Sequence, residues 1–478
     1  MEKERKKGAG VKDVTPKKKF EMPDTYLIIV GIMIFAALLT YIIPAGVYGY
    51  KIDPVTGKEI LDSTTFQYVK NTPTTLIQFL LAFSHGLTIQ GSMILNVILI
   101  CGCFHVVNET KGLSNFFSFV IAKLHAKAVL IIPIIMILFG FLGSSGALVN
   151  STIAFIPIGL VIACQLGMDR VFAMAVIYLS TFAGFGSSFM SVNSVQVAQQ
   201  IAGLPILSGS GFRMAVSVVI VTAAIIYTMI YCFRVRKDPT KSVLYGTSAW
   251  GFDDVEKDAD FDAKLTIKDS VICILTFGSF GLFVWGAVNK DWGQDMMAAF
   301  MVFSAVASGL LSGMTFEEVA QTFVAGARKV LYGVLLIGFA SGISLILTDG
   351  QIIHTIIHAV SIPLAKMSSP IAAVFMFWFN LIFNFFVCSA SGQAAIVMPI
   401  MAPLSDIVGL SRQVAVLAYQ YGDGLSNTIF PVSSSLVASL AIAGVPFQKW
   451  LKFQIPLFLI WVVIASAAIS IAVMIGYC

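Results

Sequence analysis

The chain has 478 residues, 58% of them hydrophobic and 12% charged, with a formal net charge of +5. Its mean hydropathy of +0.89 lies far from that of soluble domains, in which about half of the residues are apolar and about a quarter charged. A water-soluble fold is excluded, and so is a nucleic-acid partner, because the 30 Lys and Arg residues sit in short hydrophilic segments between apolar stretches and form no single basic surface. The fold class left is an all-α polytopic membrane protein, with the lipid bilayer as its solvent.

Residues 1–25 form a basic segment. The apolar stretch that follows, 26–49, is too long for a signal peptide and long enough to cross about 30 Å of hydrocarbon, so an uncleaved helix with a cytoplasmic N-terminus is expected. Further spans are expected at 90–107, 170–203, 212–233, 269–288, 293–313, 331–347, 412–443 and 452–477, which makes nine. Gly, Ser, Asn and Pro interrupt 170–203 and 412–443, which read as broken helices. The stretches 128–166 and 369–408 carry central polar clusters, Gly143-Ser144-Ser145-Gly146 and Ser389-Ala390-Ser391-Gly392, and read as re-entrant hairpins. Residues 234–268 form a hydrophilic linker. The seven cysteines fall nearly all in apolar segments and read as reduced packing residues. Cys101-Gly-Cys103 lacks a second ligand pair at zinc spacing.

Positive charge tests this topology. With nine spans and two hairpins, 23 of the 30 Lys and Arg face the cytoplasm, including those of 234–268, and seven lie outside, including those of 50–72. Trp285 and Trp292 then lie near the outer interface and Trp450 near the inner one.

An internal repeat organises the chain. Pro157 to Arg170 matches Pro399 to Arg412, Ala202-Gly-Leu-Pro205 matches Ala443-Gly-Val-Pro446, and Lys111-Gly112 matches Asp349-Gly350, each of the last pair opening a short amphipathic stretch before a hairpin. The expected copies are 26–233 and 269–478. The first hairpin enters from the cytoplasm and the second from outside, so the copies are inverted, as in alternating-access carriers.

Helix breaks persist in lipid where they line a hydrated site. Half-helix N-termini present free N–H groups suited to a carboxylate, and free carbonyls suit Na⁺ or a proton carrier. Substrate-binding candidates at the tips and breaks are therefore Ser144, Ser145, Asn150, Ser151, Thr152, Ser389, Ser391, Gly392, Gln393, Asp423, Ser426, Asn427 and Thr428. Cation-coupling candidates are Ser187, Ser191, Asn193, Asp423 and Ser433. Asp423, in Tyr421-Gly-Asp-Gly-Leu-Ser-Asn-Thr-Ile-Phe-Pro431, is an ionisable group in an otherwise apolar span; the alternative to a functional role is a cap on the broken helix. Small residues at the breaks have the alternative role of close helix packing. Asn380 and Asn384 read as interhelical hydrogen-bonding groups, and His354 and His358 as an i, i+4 pair at the outer interface without a third metal ligand. Motifs for ATP or hydrolase chemistry are absent, so no enzyme activity and no cofactor beyond a coupling Na⁺ or H⁺ is expected.

The runs Ser389-Ala-Ser-Gly-Gln-Ala-Ala-Ile-Val-Met-Pro-Ile-Met-Ala-Pro403, Gln420 to Pro431 and Gly444-Val-Pro-Phe-Gln-Lys-Trp450 resemble the YfcC-type branch of the anaerobic C4-dicarboxylate carrier (DcuC-like) family, in the ion transporter superfamily. The resemblance covers residues 26–477. It implies a homodimeric elevator carrier in a bacterial cytoplasmic membrane, in which hairpins and broken helices move a small-molecule substrate past a fixed scaffold. It implies C4-dicarboxylates or arginine/ornithine exchange. No Lys or Arg lies near the four breaks, so the residues themselves fit an amino acid at least as well as a dicarboxylate. An ion channel or a membrane-embedded enzyme are the alternatives from other classes.

Overall fold

The computed structural model describes residues 25–52, 59–62, 64–113, 115, 116, 119, 129, 131–146, 148, 149, 151–247, 249–251, 265–290 and 292–478. The basic segment 1–24 and Asn150 lie outside the described residues, as does the side chain of Asn193.

Helix α1 (Thr25–Ile42) leads into two small antiparallel sheets, Gly46–Val47 paired with Gln67–Tyr68 and Tyr50–Ile52 paired with Glu59–Leu61. Thr75 and Gln78 form a capping box that starts α2 (Leu76–Ile89). After Gln90 comes α3 (Gly91–Glu109). The first hairpin has arms α4 (Ile131–Ser145) and α5 (Ile156–Gln165), the latter entered through a 3₁₀ turn, Ser151–Phe155. The first broken helix is α6 (Arg170–Gly186) followed by α7 (Val197–Ile201), and α8 (Ser210–Lys237) closes this half. The second half has α9 (Ile267–Asn289), α10 (Gln294–Ser312), α11 (Phe316–Asp349) and α12 (Ile353–Leu364). The hairpin arms α13 (Ser369–Phe383) and α14 (Ala390–Ile407), the broken helix α15 (Arg412–Ser426) with α16 (Ser434–Ala443), and α17 (Phe447–Met474) complete it. Among the described residues five helices are long and apolar enough to cross a membrane: Gly91–Glu109, Ser210–Lys237, Asp295–Ser312, Val330–Asp349 and Phe447–Met474.

The helices are interrupted at the four polar clusters, after Ser145, Gly186, Phe383 and Ser426. Three features differ from expectation. Helix α2 and the strands between α1 and α2 were not foreseen: the capping box does not show in hydropathy, and strands of two or three residues leave no periodicity. The span expected at 331–347 belongs to a 34-residue helix that starts at Phe316, because Thr315 and Glu318 form a capping box there, so Arg328 and Lys329 lie on a helix and not in a loop. Trp450 is fully buried, its indole N–H donating to the Thr428 carbonyl at 2.8 Å, so it is a core residue and not an interfacial one.

Small residues decide how the first body packs. Helices α2 and α3 lie antiparallel along α11, where Gly86 abuts the backbone of Gly338 and Gly342, and Gly326 meets His105 and Gly102. Without Cβ atoms these backbones approach closely, the usual driving contact between helices in lipid. Helices α1, α9 and α10 join this body. The second body comprises α4 to α8 and α13 to α17. Its α16 lies along α11, and their shared seam is aliphatic: Val97, Cys101, Ile153, Val330, Val334, Ile337 and Ala438.

Candidate functional site

The two broken helices cross at their breaks. Gly186, the last residue of α6, lies against the Cα of Gly424 in α15, and the Gln420 amide donates to the Phe185 carbonyl at 2.6 Å. Each half-helix also runs beside the first arm of its own hairpin. In the first half Gly143 and Gly140 of α4 lie against the Thr181 and Gly184 backbone of α6; in the second, Gly422 of α15 lies against Asn380 of α13. At the far ends, arginines reach across between halves. Arg170 donates to the Ala443 carbonyl at 3.2 Å, and Arg412 donates to the Ala202 carbonyl at 2.8 Å. Those carbonyls lie at the C-terminal ends of α16 and α7, where unsatisfied C=O groups favour a cation.

At the second tip the chain opens a cavity of about 410 Å³, bounded by Ser389, Ser391, Asn427, Ser433, Ser434 and Ser435, with Phe182 and Phe185 of α6 and Gln90 from the α2–α3 junction completing it. The N-termini of α14 and α16 both face this space. Ser389 caps α14 by accepting from the Gly392 N–H at 3.3 Å. The side chain of Ser433 makes no cap on α16, which leaves that end free for an anion. Among the described residues no Lys, Arg, Asp or Glu lines the cavity.

Of the predicted binding residues, the structure therefore brings Ser389, Ser391, Asn427 and Ser433 together. Gly392 and Gln393 stand just behind them. Gly392 serves the cap, and the Gln393 amide donates to the Asn380 carbonyl and side-chain oxygen at 3.1 and 3.0 Å, its own Oε1 left without a partner. Thr428 donates to the Leu425 carbonyl and accepts from Gln454, which ties it to α17 and not to the cavity. The candidates from the first half are assembled elsewhere. Ser144 donates to the Gly184 carbonyl at 3.0 Å, Ser145 to the Leu142 carbonyl at 2.7 Å, and Thr152 pairs with Thr181 at 3.0 Å. Ser187 donates to the Ala183 carbonyl and to Ser217. Ser151 is buried at the start of the 3₁₀ turn, and Ser191 is buried with a hydroxyl that has no partner. Gln90, Cys388, Ser434 and Ser435 were missed. Ser434 and Ser435 continue the polar run after Ser433, whereas Gln90 had no local signal, since only the packing of α11 brings the α2–α3 junction to the tip.

Asp423 sits one turn behind Asn427, fully buried, and both carboxylate oxygens lack any hydrogen-bond partner. No backbone N–H reaches them, so the capping role does not describe this residue. Its main-chain carbonyl is instead crowded, accepting from Asn384 and Asn427 at 3.0 Å each. Asn384 further donates to Ser426 at 2.8 Å, as the interhelical role predicted, and its own side-chain oxygen has no partner. A carboxylate and two amide oxygens facing no donor in one packed layer cost several kcal/mol unless a cation or proton joins them. On the opposite side of the chain, His354 and His358 both hydrogen-bond Tyr48, and His358 stacks on Phe66 with ring centroids 3.9 Å apart, so these rings fasten α12 to the small sheets.

The sequence pattern of the C4-dicarboxylate anaerobic carrier family matches residues 22–474. The chain belongs to this family. It is a multi-pass membrane protein of a transporter family. An Escherichia coli (strain K12) protein named "Putative basic amino acid antiporter YfcC" is 32% identical over 508 residues, covering 98% of this chain and 100% of its own length. Among solved structures, the YdaH transporter of Alcanivorax borkumensis aligns over 95% of this chain and 99% of its own, with 16% identity and a TM-score of 0.41. MtrF of Neisseria gonorrhoeae, from a class of antimetabolite efflux pumps, aligns over 95% and 96% with 14% identity and a TM-score of 0.42.

Proposed function

We propose that this chain is a secondary active carrier of a small carboxylate-bearing metabolite, an amino acid of the arginine/ornithine type, exchanged or symported by alternating access. The observation that carries the reading is the convergence of two helix N-termini, α14 and α16, on one cavity with no basic side chain. Backbone N–H groups there suit the substrate carboxylate. The name of the E. coli relative favours an amino acid, while the family description favours a C4-dicarboxylate as the second reading. Asp423 lies outside the cavity lining, so its role is coupling: its unpartnered carboxylate holds Na⁺ or H⁺ behind the substrate.

The moving unit is the second body, the two hairpins with the broken helices, in two inverted copies, 26–233 and 269–478. The reciprocal arginine contacts and the antiparallel pairing of 76–109 with 316–349 support the inversion, since elements 240 residues apart are brought together in opposite directions. The aliphatic seam between α11 and α16 supports sliding, because it offers dispersion contact without hydrogen bonds that each step must break. The N-terminus is cytoplasmic in this scheme, the membrane is a bacterial inner membrane, and the carrier is a homodimer.

Uptake into proteoliposomes tests the function, using arginine, ornithine and C4-dicarboxylates with and without Na⁺ or a preloaded counter-substrate. Amino-acid exchange is the expected result; dicarboxylate uptake alone selects the second reading. Conductance far above carrier turnover rejects a carrier.

A further inference from the structure

The second body also contains a buried cation with no counter-charge. Arg213, in the first turn of α8, is fully buried. Its acceptors are neutral: the Ser208 carbonyl at 2.9 Å and the Gln413 side-chain oxygen at 2.5 Å. The guanidinium carbon stands 5.9 Å over the Tyr477 ring. Among the described residues no Asp or Glu pairs with it, whereas the exposed Arg412 has Asp406 at 2.7 Å. The more costly site to leave unpaired is therefore the one without an acid.

The helix ends beside it add to its positive field. Helix α8 follows Gly209, whose lack of a side chain leaves its first-turn N–H groups uncapped, and Gln413 belongs to the first turn of α15, whose Val414 N–H is capped by Ser411, so the positive ends of two helices meet here, one of them uncapped. Two buried donors are left over as well: the Arg213 Nε–H and the Tyr421 hydroxyl, which lies within Coulombic reach of Arg213. A guanidinium, an uncapped helix N-terminus and two unpartnered donors, with no Asp or Glu pairing the guanidinium among the described residues, are the donor set of an anion site.

We infer that a halide, chloride in the cell, is bound between Arg213 and Tyr421 at the α8–α15 junction. Complete burial and the roof formed by Tyr477 favour a monatomic ion over a metabolite carboxylate. Arg213, Tyr421 and Tyr477 do not line the cavity at Ser389, so the ion serves the integrity of the second body and is not cargo.

The test is thermal unfolding of the purified chain at fixed Na⁺ and fixed ionic strength, with chloride replaced stepwise by gluconate and then by bromide. Ligand binding to the folded state raises the midpoint saturably, so chloride and bromide should each raise Tm by several degrees over gluconate. Tyr421→Phe keeps the ring and removes one donor to the ion; the half-saturating chloride concentration should rise about tenfold, as for loss of one charge-assisted hydrogen bond. Arg213→Met should unfold at a temperature independent of halide. Equal Tm in chloride and gluconate for the wild-type chain overturns the inference. So does a halide response that Tyr421→Phe leaves unchanged, a result that stands even if Arg213→Met does not fold.

Discussion

The two helix breaks share a geometry and differ in what they leave unsatisfied: beyond α6 only two neutral hydroxyls, Ser191 and Ser194, lack a partner among the described residues, whereas the second break leaves a carboxylate. At the α4–α6 crossing the hydroxyls of Ser144, Thr152, Thr181, Ser187 and Ser188 mostly bond one another or nearby carbonyls, Ser188 donating to the Ser144 carbonyl at 2.5 Å. At the α13–α15 crossing a carboxylate and two amide oxygens have no partner, and the serines beyond face open space. Polar groups that satisfy each other hold a structure in one shape; polar groups left over are poised for something that arrives. The first crossing is a bearing and the second a receptor, although both arise from similar strings of Gly, Ser and Asn.

The comparison breaks first at the glycines the two crossings share. Gly184→Val and Gly422→Val should each destabilise by about 3 kcal/mol or more, since either Cβ runs into the opposing helix, and both should fail to give folded protein in size-exclusion chromatography. If Gly422→Val alone folds, the crossings are not architecturally alike. Asp423→Asn should follow in size. It preserves shape, so unfolding temperature should hold or rise as an unpaired buried charge disappears, while uptake falls about 100-fold and ion dependence is lost. Normal uptake with normal ion dependence returns Asp423 to a packing role. A cysteine pair at Val334 and Ala438, both in the aliphatic seam, should on cross-linking stop uptake and spare substrate binding; full uptake with the bond formed would contradict a sliding seam. The smallest effects sharpen the distinction. Ser391→Ala, at an exposed hydroxyl facing the cavity, should raise KM about threefold to tenfold without changing Tm. Thr152→Val should do the reverse, costing about 1 kcal/mol of stability at constant KM.

Hydropathy and the polar clusters were enough to read the four helix interruptions, because a Gly-Ser cluster inside an apolar run admits few other structures in lipid. The α2 helix was hidden because its exposed Leu76, Ile77, Leu80 and Leu81 follow a threonine-rich loop with no span-length apolar run of its own. Asp423 stood out as a lone charge, but its separation from the cavity did not, since one helical turn decides whether a side chain lines a space or stands behind it. Ser144 and Ser389 look equivalent in sequence; only the neighbours Gly184 and Ser217 show that the first is already engaged. Gln90 was legible nowhere, because its place in the cavity depends on an interaction between distant segments.

The crossed arginines have a consequence for biogenesis. The carbonyl of Ala202 waits for Arg412, and Arg170 waits for Ala443, so each half of the chain holds a helix end that only the other half completes. During synthesis the first half must therefore sit in the bilayer unfinished for more than two hundred residues of further translation. The same exchange means that severing the polypeptide between the halves need not destroy it: fragments ending and starting within 252–264, produced together, contain all four members of the two clasps and should reassemble, whereas either fragment alone should be degraded.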